Sequence, residues 1–227
     1  MKKTVAVIGA TESSGPSIAY ILAEAGYRVL LTNNFQTHRA VSLGKLSLLL
    51  ARIRLRVRRA DVRIALSARE ASWEADIIIP VVPYEAQAEL ARTIKDVATG
   101  KIVACMINPL NRSHSGLEKN PPGGTAQELT QLLPHSSIVK AFMTSSSAVL
   151  RKPRRHGETA DVFICSDNEA AAATVMQLAE EVGLSPHAGG KLAMSRAVES
   201  MMCEVARLRP GQARSTGGAE NSSDEIP

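Results

Sequence analysis

The sequence predicts a doubly wound α/β fold on three observations: an opening strand that breaks into a glycine turn, strand and helix patterns that then alternate, and enough chain for one full core. Val5-Ala6-Val7-Ile8 reads as the buried strand, Gly9-Ala10-Thr11-Glu12-Ser13-Ser14-Gly15 as the turn, and an apolar-periodic helix follows at once. A nucleotide cradle begins this way. In the G-x-G-x-x-G form, the first glycine makes the tight turn, the second admits a pyrophosphate to the backbone, and the third lets helix pack on strand. Gly9 and Gly15 keep the first and last places, in a turn one residue longer than that form. Glu12 sets a carboxylate near the helix N-terminus, favourable by itself but competing with a pyrophosphate for the same amides and dipole. Taken alone, the turn fits either a phosphate cradle or a plain strand-to-helix connection.

Expected strands are Thr4–Ile8, Arg28–Thr32, Asp61–Leu66, Asp76–Val82, Ile102–Ile107, Ser137–Phe142, Asp161–Cys165 and Leu184–His187. Between them Gly15–Ala25, Thr37–Arg52, Ala68–Glu74, Ala86–Val97, Thr125–Leu133 and Glu169–Val182 carry Ala, Leu, Ile and Val at helical spacing. After the Gly189-Gly190 breaker, Lys191–Leu208 makes a last helix with Leu192, Ser195, Val198, Glu199 and Met202 along one side. Such alternation predicts a mostly parallel sheet with helices on both faces and a C-terminal helix. Residues 1–208 are expected to form one domain, and 209–227, rich in Gly, Ser, Asn and Glu, a disordered polar tail.

Composition narrows the class. The 227 residues are 44% hydrophobic, and 27 Lys and Arg against 22 Asp and Glu leave a mildly basic net charge. No run approaches the roughly 18 apolar residues of a membrane span, and Met1-Lys2-Lys3 enters a strand without a signal-peptide pattern. A cytoplasmic protein without a membrane partner is expected. Cys105, Cys165 and Cys203 are odd in number and embedded in apolar runs, which reads as buried thiols rather than a disulfide framework or zinc knuckle. His38, His114, His135, His156 and His187 share no ligand spacing, so no metal site is expected.

The end of the second strand supplies the next test. A carboxylate there would hold a ribose 2′-hydroxyl, whereas polar or basic residues suit a 2′-phosphate. The strand ends Leu31-Thr32-Asn33-Asn34 with His38 and Arg39 close behind, which tilts the choice toward NADP over NAD.

With these residues in place the chain resembles the small NADP oxidoreductases that use the deazaflavin coenzyme F-420, and the N-terminal oxidoreductase domain of membrane metalloreductases built on the same unit. The matching stretches are Val7-Ile8-Gly9-Ala10-Thr11 with Gly15; Ala75-Asp76-Ile77-Ile78-Ile79 leading to Val82-Pro83-Tyr84-Glu85; Asn108-Pro109-Leu110; and Ile138-Val139-Lys140-Ala141-Phe142-Met143-Thr144. Val162 to Ala170, Gly183-Leu184-Ser185-Pro186, Gly189-Gly190-Lys191-Leu192 and Ala197-Val198-Glu199 follow in the same order. The resemblance implies a Rossmann-like fold and an NADP-dependent (deaza)flavin reductase. Its cofactor would be NADP, with coenzyme F-420 or FMN/FAD as hydride partner, in a homodimer. It places Gly9, Thr11, Glu12, Ser13 and Ser14 at the pyrophosphate turn and Val82, Pro83, Asn108 and Ala141 along the nicotinamide side. Asn33 and Asn34 fall where the family usually carries Ser-Arg, so the bidentate fork for the 2′-phosphate is replaced by neutral hydrogen bonds.

Hydride transfer between two ring systems needs no protein nucleophile, so no catalytic residue is expected. The resemblance also sets Met143, Thr144, Ser145 and the basic loop Arg151-Lys152-Pro153-Arg154-Arg155-His156 beside the acceptor, where positive charge would steer an anionic coenzyme. Glu199 resembles a family carboxylate with a helix-packing role. Arg52-Ile53-Arg54-Leu55-Arg56-Val57-Arg58-Arg59 reads as the end of the second helix, its arginines leaning toward the 2′-phosphate or simply solvating an exposed face. Two alternatives stand beside the reductase. One is a catalytically silent dinucleotide-binding regulator, favoured by Glu12 and Asn34; the other is a basic nucleic-acid-binding scaffold, disfavoured by the 3% aromatic content.

Overall fold

The computed structural model describes residues 2–12, 14–33, 39–107, 123–143, 150, 154–155 and 158–207. Four strands and their helices alternate first: β1 (Thr4–Ile8), α1 (Gly15–Glu24), β2 (Arg28–Thr32), α2 (Arg39–Arg56), β3 (Val62–Ile64), α3 (Ala68–Glu74) and β4 (Ile77–Pro80). A 3-10 turn at Tyr84–Ala86 then leads into α4 (Gln87–Ile94), followed by β5 (Ile102–Cys105), α5 (Thr125–Leu132) and β6 (Ser137–Met143). Last come β7 (Arg154–Arg155), β8 (Glu158–Ser166), α6 (Glu169–Glu181), β9 (Leu184–Gly190), a 3-10 turn at Leu192–Met194 and α7 (Ser195–Arg207).

The strands form a nine-stranded sheet in the order β3-β2-β1-β4-β5-β6-β8-β7, with β9 also paired to β8. From β3 to β6 every pairing is parallel. Strand β8 reverses against β6, because β7 turns the chain back in a tight hairpin onto the start of β8. The fold class expected from the sequence is therefore the one observed: a doubly wound, Rossmann-like, mostly parallel sheet closed by a C-terminal helix.

Why these segments are strands is plain from their burial. Val5, Ala6, Val7 and Ile8 are all completely covered, as a strand sandwiched between helical layers must be. Alternate side chains serve the two layers. Val5, Val7, Ile77 and Ile79 pack with α1, α2 and α6 on one face, whereas Ala6, Ile8, Ile78 and Val103 pack with α3, α4 and α5 on the other. Local caps fix where helices begin. The Ser67 side chain accepts the Glu70 amide (3.1 Å) while Glu70 reaches back to the Leu66 amide (2.8 Å), a capping-box exchange that starts α3. Asn168 caps α6 the same way, accepting the Ala171 amide at 3.0 Å.

Several boundaries differ from expectation. The apolar run Asp76–Val82 is strand only over Ile77–Pro80, although the Val81 amide still donates to the Ile8 carbonyl at 2.7 Å; Pro80, without an amide, has none to give to β5 on the other side. The arginine-rich segment stays helical through Arg56 and is not extended, its buried Ile53 anchoring the last turn. The polar segment 209–227 lies outside the described residues.

Candidate functional site

In an open parallel sheet, ligands bind beyond the carboxyl ends of the strands where the order reverses. Here that point lies between β1 and β4, neighbours whose connections leave toward opposite edges of the sheet. Gly9 sits at its rim with φ +86, a conformation that a side chain resists. A Cβ there would meet the Val81 carbonyl oxygen at 2.1 Å, so the loop after β1 and the loop after β4 touch backbone to backbone. Gly15 is equally confined: a Cβ would lie 2.3 Å from the Gly9 carbonyl oxygen. The two glycines retained in the sequence are thus the two that this closely folded turn requires.

The amides of the turn are mostly engaged within it. Gly9 and Ala10 donate to the Thr32 carbonyl at 2.8 and 3.2 Å, stitching the turn to the end of β2. Glu12 donates to the Gly9 carbonyl (2.9 Å) and Gly15 to the Glu12 carbonyl (2.6 Å). The Thr11 amide donates to Asn33 Oδ1 at 3.0 Å, and Asn33 Nδ2 returns a bond to the Thr11 hydroxyl. Asn33 therefore clasps the turn, a role its neutral amide suits because it donates and accepts at once. Pro16 opens α1 without an N–H, and Ser14 stands at the N-cap with no side-chain cap bond. The Glu12 side chain is exposed beside this turn.

Of the other expected site residues, Val82 is buried among Ile8, Leu30 and Ala86, and Pro83 is exposed at the mouth. Ala141 has no exposed surface and packs in the core, two residues before the end of β6. Its neighbour Phe142 is a buried residue held at φ 56, where β6 bulges against β8. A non-glycine residue in the left-handed region costs on the order of 1–3 kcal/mol and persists only where packing enforces it. Ser13, Asn34, His38 and Asn108 lie outside the described residues, as do Thr144, Ser145, Arg151–Pro153 and His156.

One constellation escaped the sequence reading. Lys140, on β6 between Val139 and Ala141, is wholly buried, and its Nζ donates to three acceptors: the Ile107 carbonyl (2.5 Å), the Thr125 hydroxyl (3.0 Å) and Glu199 Oε1 (2.6 Å). The Thr125 hydroxyl in turn lies 2.6 Å from Glu199 Oε1. All three ammonium protons are spent, which is the condition under which a buried charge is tolerated. The network joins β6, the start of α5, the segment after β5 at Ile107 and α7 in one knot. The signal for it in the sequence was a lone lysine in the apolar run Ile138-Val139-Lys140-Ala141-Phe142, with Glu199 on the buried side of the last helix.

Cysteines flank the knot. Cys105 and Cys165 are the in-register neighbours of Lys140 on either side, and both are buried. Burial pushes each thiol above its usual range, with the Lys140 ammonium pulling partly the other way. They are therefore the protonated, inert thiols expected of apolar surroundings. The arginines after residue 51 end up far from the site: α2 starts at the carboxyl edge, and Arg52 lies about 20 Å further along its axis, toward the opposite edge. They do not lean toward a 2′-phosphate. Arg54 instead donates to the Val62 carbonyl at 2.9 Å. Among the described residues there is no cluster able to hold a metal ion, and no helix is long and apolar enough to cross a membrane.

Known proteins share both the fold and part of the sequence. The chain is 30% identical over 147 residues to the F420-dependent NADP reductase of Methanocaldococcus jannaschii, a match covering 63% of this chain and 65% of that protein. It is also 30% identical over 132 residues to rat metalloreductase STEAP3, covering 58% of this chain and 26% of that one. The chain thus spans less than two thirds of the length of either relative. In structure it follows a protein of Arthrobacter sp. FB24, described as a candidate F420-dependent NADP reductase, with a TM-score of 0.77 at 22% identity over 92% of this chain and 94% of that one. No family model matches the chain. The resemblance drawn from the motifs is shared by these relatives.

Proposed function

We propose that this chain is an NADP-dependent oxidoreductase passing hydride between NADP(H) and a deazaflavin or flavin-type acceptor. The observation that carries the reading is the interlocked turn at the strand-order reversal, where Gly9 and Gly15 let the backbone fold closely enough to bring the start of α1 to the carboxyl edge of the sheet, the place where such folds bind a pyrophosphate. The match to the archaeal reductase supports the acceptor class. In this reading Gly9, Thr11, Ser14 and Ser13 cradle the pyrophosphate, Asn34 and His38 face the ribose phosphate, and Asn33 keeps the cradle in shape by holding Thr11. Val82, Pro83, Asn108 and the main chain at Ala141 border the nicotinamide. The nicotinamide supplies the hydride when bound. The chain supplies placement: Lys140 holds the Ile107 carbonyl just before Asn108, and packing holds the backbone at Phe142 in one conformation at the end of the neighbouring strand.

A second reading, a dinucleotide-binding regulator without turnover, is favoured by one feature. The Thr11, Glu12 and Gly15 amides are engaged inside the turn or by Asn33, and Glu12 adds negative charge beside them, which weakens the grip on a phosphate. The same proposal takes residues 1–208 as one domain working in the cytoplasm as a homodimer; Met194 and Met201, exposed beside and on α7, support a contact there.

Titrating NADPH and NADH by fluorescence, then adding coenzyme F-420, FMN or FAD, tests both readings. The reductase predicts saturable NADPH binding tighter than NADH and oxidation of the nicotinamide only when an acceptor is present. Binding without oxidation by any of the three acceptors supports the regulator. No binding of either nucleotide at millimolar levels refutes both.

A further inference from the structure

The outer face of α2 carries a pattern that the oxidoreductase reading does not use. At about 100° per residue, Gly44, Leu48, Ala51 and Leu55 fall in a strip about 60° wide, directly opposite the buried Leu46 and Ile53. Leu48 is 53% and Leu55 87% exposed, unusual for two large apolar side chains one above the other on a helix. Lys45, Arg52 and Arg56 border the strip on one side and Arg54 on the other, with Arg58 and Arg59 just beyond the helix end. From Arg39 to Ala60 there is no Asp or Glu. Among the described residues, none of Lys45, Arg52, Arg56, Arg58 and Arg59 makes an ion pair.

We propose that this face of α2 is a docking surface for an anionic lipid bilayer, on which the helix lies flat with its leucines at the level of the headgroups. Three arguments select that occupant. A two-fold contact with a second copy through the same face would set these cations against each other without a compensating acid. A nucleic acid would pair with the cations but has no use for two leucines at the crest, and α2 offers no aromatic ring for a base to stack on. A bilayer with acidic headgroups takes both parts: cations pair with the headgroups while Leu48 and Leu55 reach the acyl boundary. The contact is a surface one, consistent with the absence of any spanning helix among the described residues. The strongly basic end of α2 also lies at the amino edge of the sheet, away from the strand-order reversal, so docking leaves the candidate cleft open.

Flotation of the full chain with vesicles of phosphatidylcholine alone, and of phosphatidylcholine mixed with phosphatidylserine, tests this. Binding is expected on the mixed vesicles only. Arg52→Gln/Arg56→Gln should lower partitioning about fivefold per charge removed, and Leu48→Ser/Leu55→Ser about tenfold with all charges intact. Both pairs are exposed, so an unchanged far-UV circular dichroism spectrum and unchanged NADPH titration are expected and separate this test from that of the nucleotide site. Failure to float with the mixed vesicles overturns the proposal. So does flotation that is indifferent to the leucine pair, or capture of duplex RNA that depends on the arginines alone.

Discussion

Replacing Lys140 by methionine keeps most of the side-chain volume but removes the ammonium. Glu199, 1% exposed, would then lose the Lys140 ammonium, and the Ile107 carbonyl and the Thr125 hydroxyl would each lose a donor. Stranding one partner of a buried, fully bonded pair costs about 3–5 kcal/mol, a large part of the roughly 5–15 kcal/mol that holds an ordinary domain together. For a chain of this size, 1 kcal/mol moves the melting temperature by about 2–4 °C, so a fall of about 10 °C is expected. Urea unfolding followed by circular dichroism measures the cost directly. The double variant Lys140→Met/Glu199→Leu, which replaces the pair by apolar groups, should recover most of the loss, the Ile107 carbonyl keeping the Thr125 hydroxyl as its donor at 2.9 Å. A cost for the single variant below about 1 kcal/mol, the range of a solvated surface pair, would refute the reasoning, as would a double variant less stable than the single one.

Three further outcomes follow from the same structure. Gly9→Ala should abolish measurable NADPH binding and lower stability, because its Cβ meets a backbone oxygen at 2.1 Å that no side-chain rotation can relieve; calorimetry and thermal unfolding check both. Asn33→Ala, by releasing Thr11, should weaken NADPH binding by about tenfold, the value of one or two neutral hydrogen bonds, with a much smaller change in melting temperature. Glu181 is held below its ordinary 4.5 by Lys2, then by the Tyr27 hydroxyl, so its contribution to stability is present above that value and is lost as pH falls through its lowered one. Glu181→Gln should therefore lower stability modestly at neutral pH and leave it nearly unchanged below the lowered value, which flattens the acid side of the profile, as pH-resolved urea midpoints would show.

How much the sequence disclosed depended on how local the signal was. Val5 to Ile8 read as a buried strand because every side chain in it is apolar, and Ala68–Glu74 read as a helix from the spacing of its apolar residues, the bounds that the structure shows. The reversal of β8 was not legible, since the side-chain pattern of a strand is the same whichever way it runs. Gly9 and Gly15 were legible as a turn, but the contact with Val81 that makes Gly9 necessary comes from the loop after β4, far along the chain. Asn33 was read as a group facing a ligand and is found holding Thr11, because an amide after a strand looks the same in either role. Lys140 carries no local mark of its role beyond standing alone in an apolar strand. Its partners Thr125 and Glu199 stand 15 and 59 residues off in the chain, and no local pattern links them.

The knot around Lys140 also constrains the order in which the molecule can be completed. A nascent chain emerging from the ribosome presents β5, α5 and β6 well before residue 199, so the lysine that belongs in the middle of the sheet has no counter-ion when its strand is first made. Until the last helix arrives, that strand can keep its ammonium wet only by staying loosely packed. A protein released just short of Glu199 would hold nearly all of its apolar residues and still fail to close.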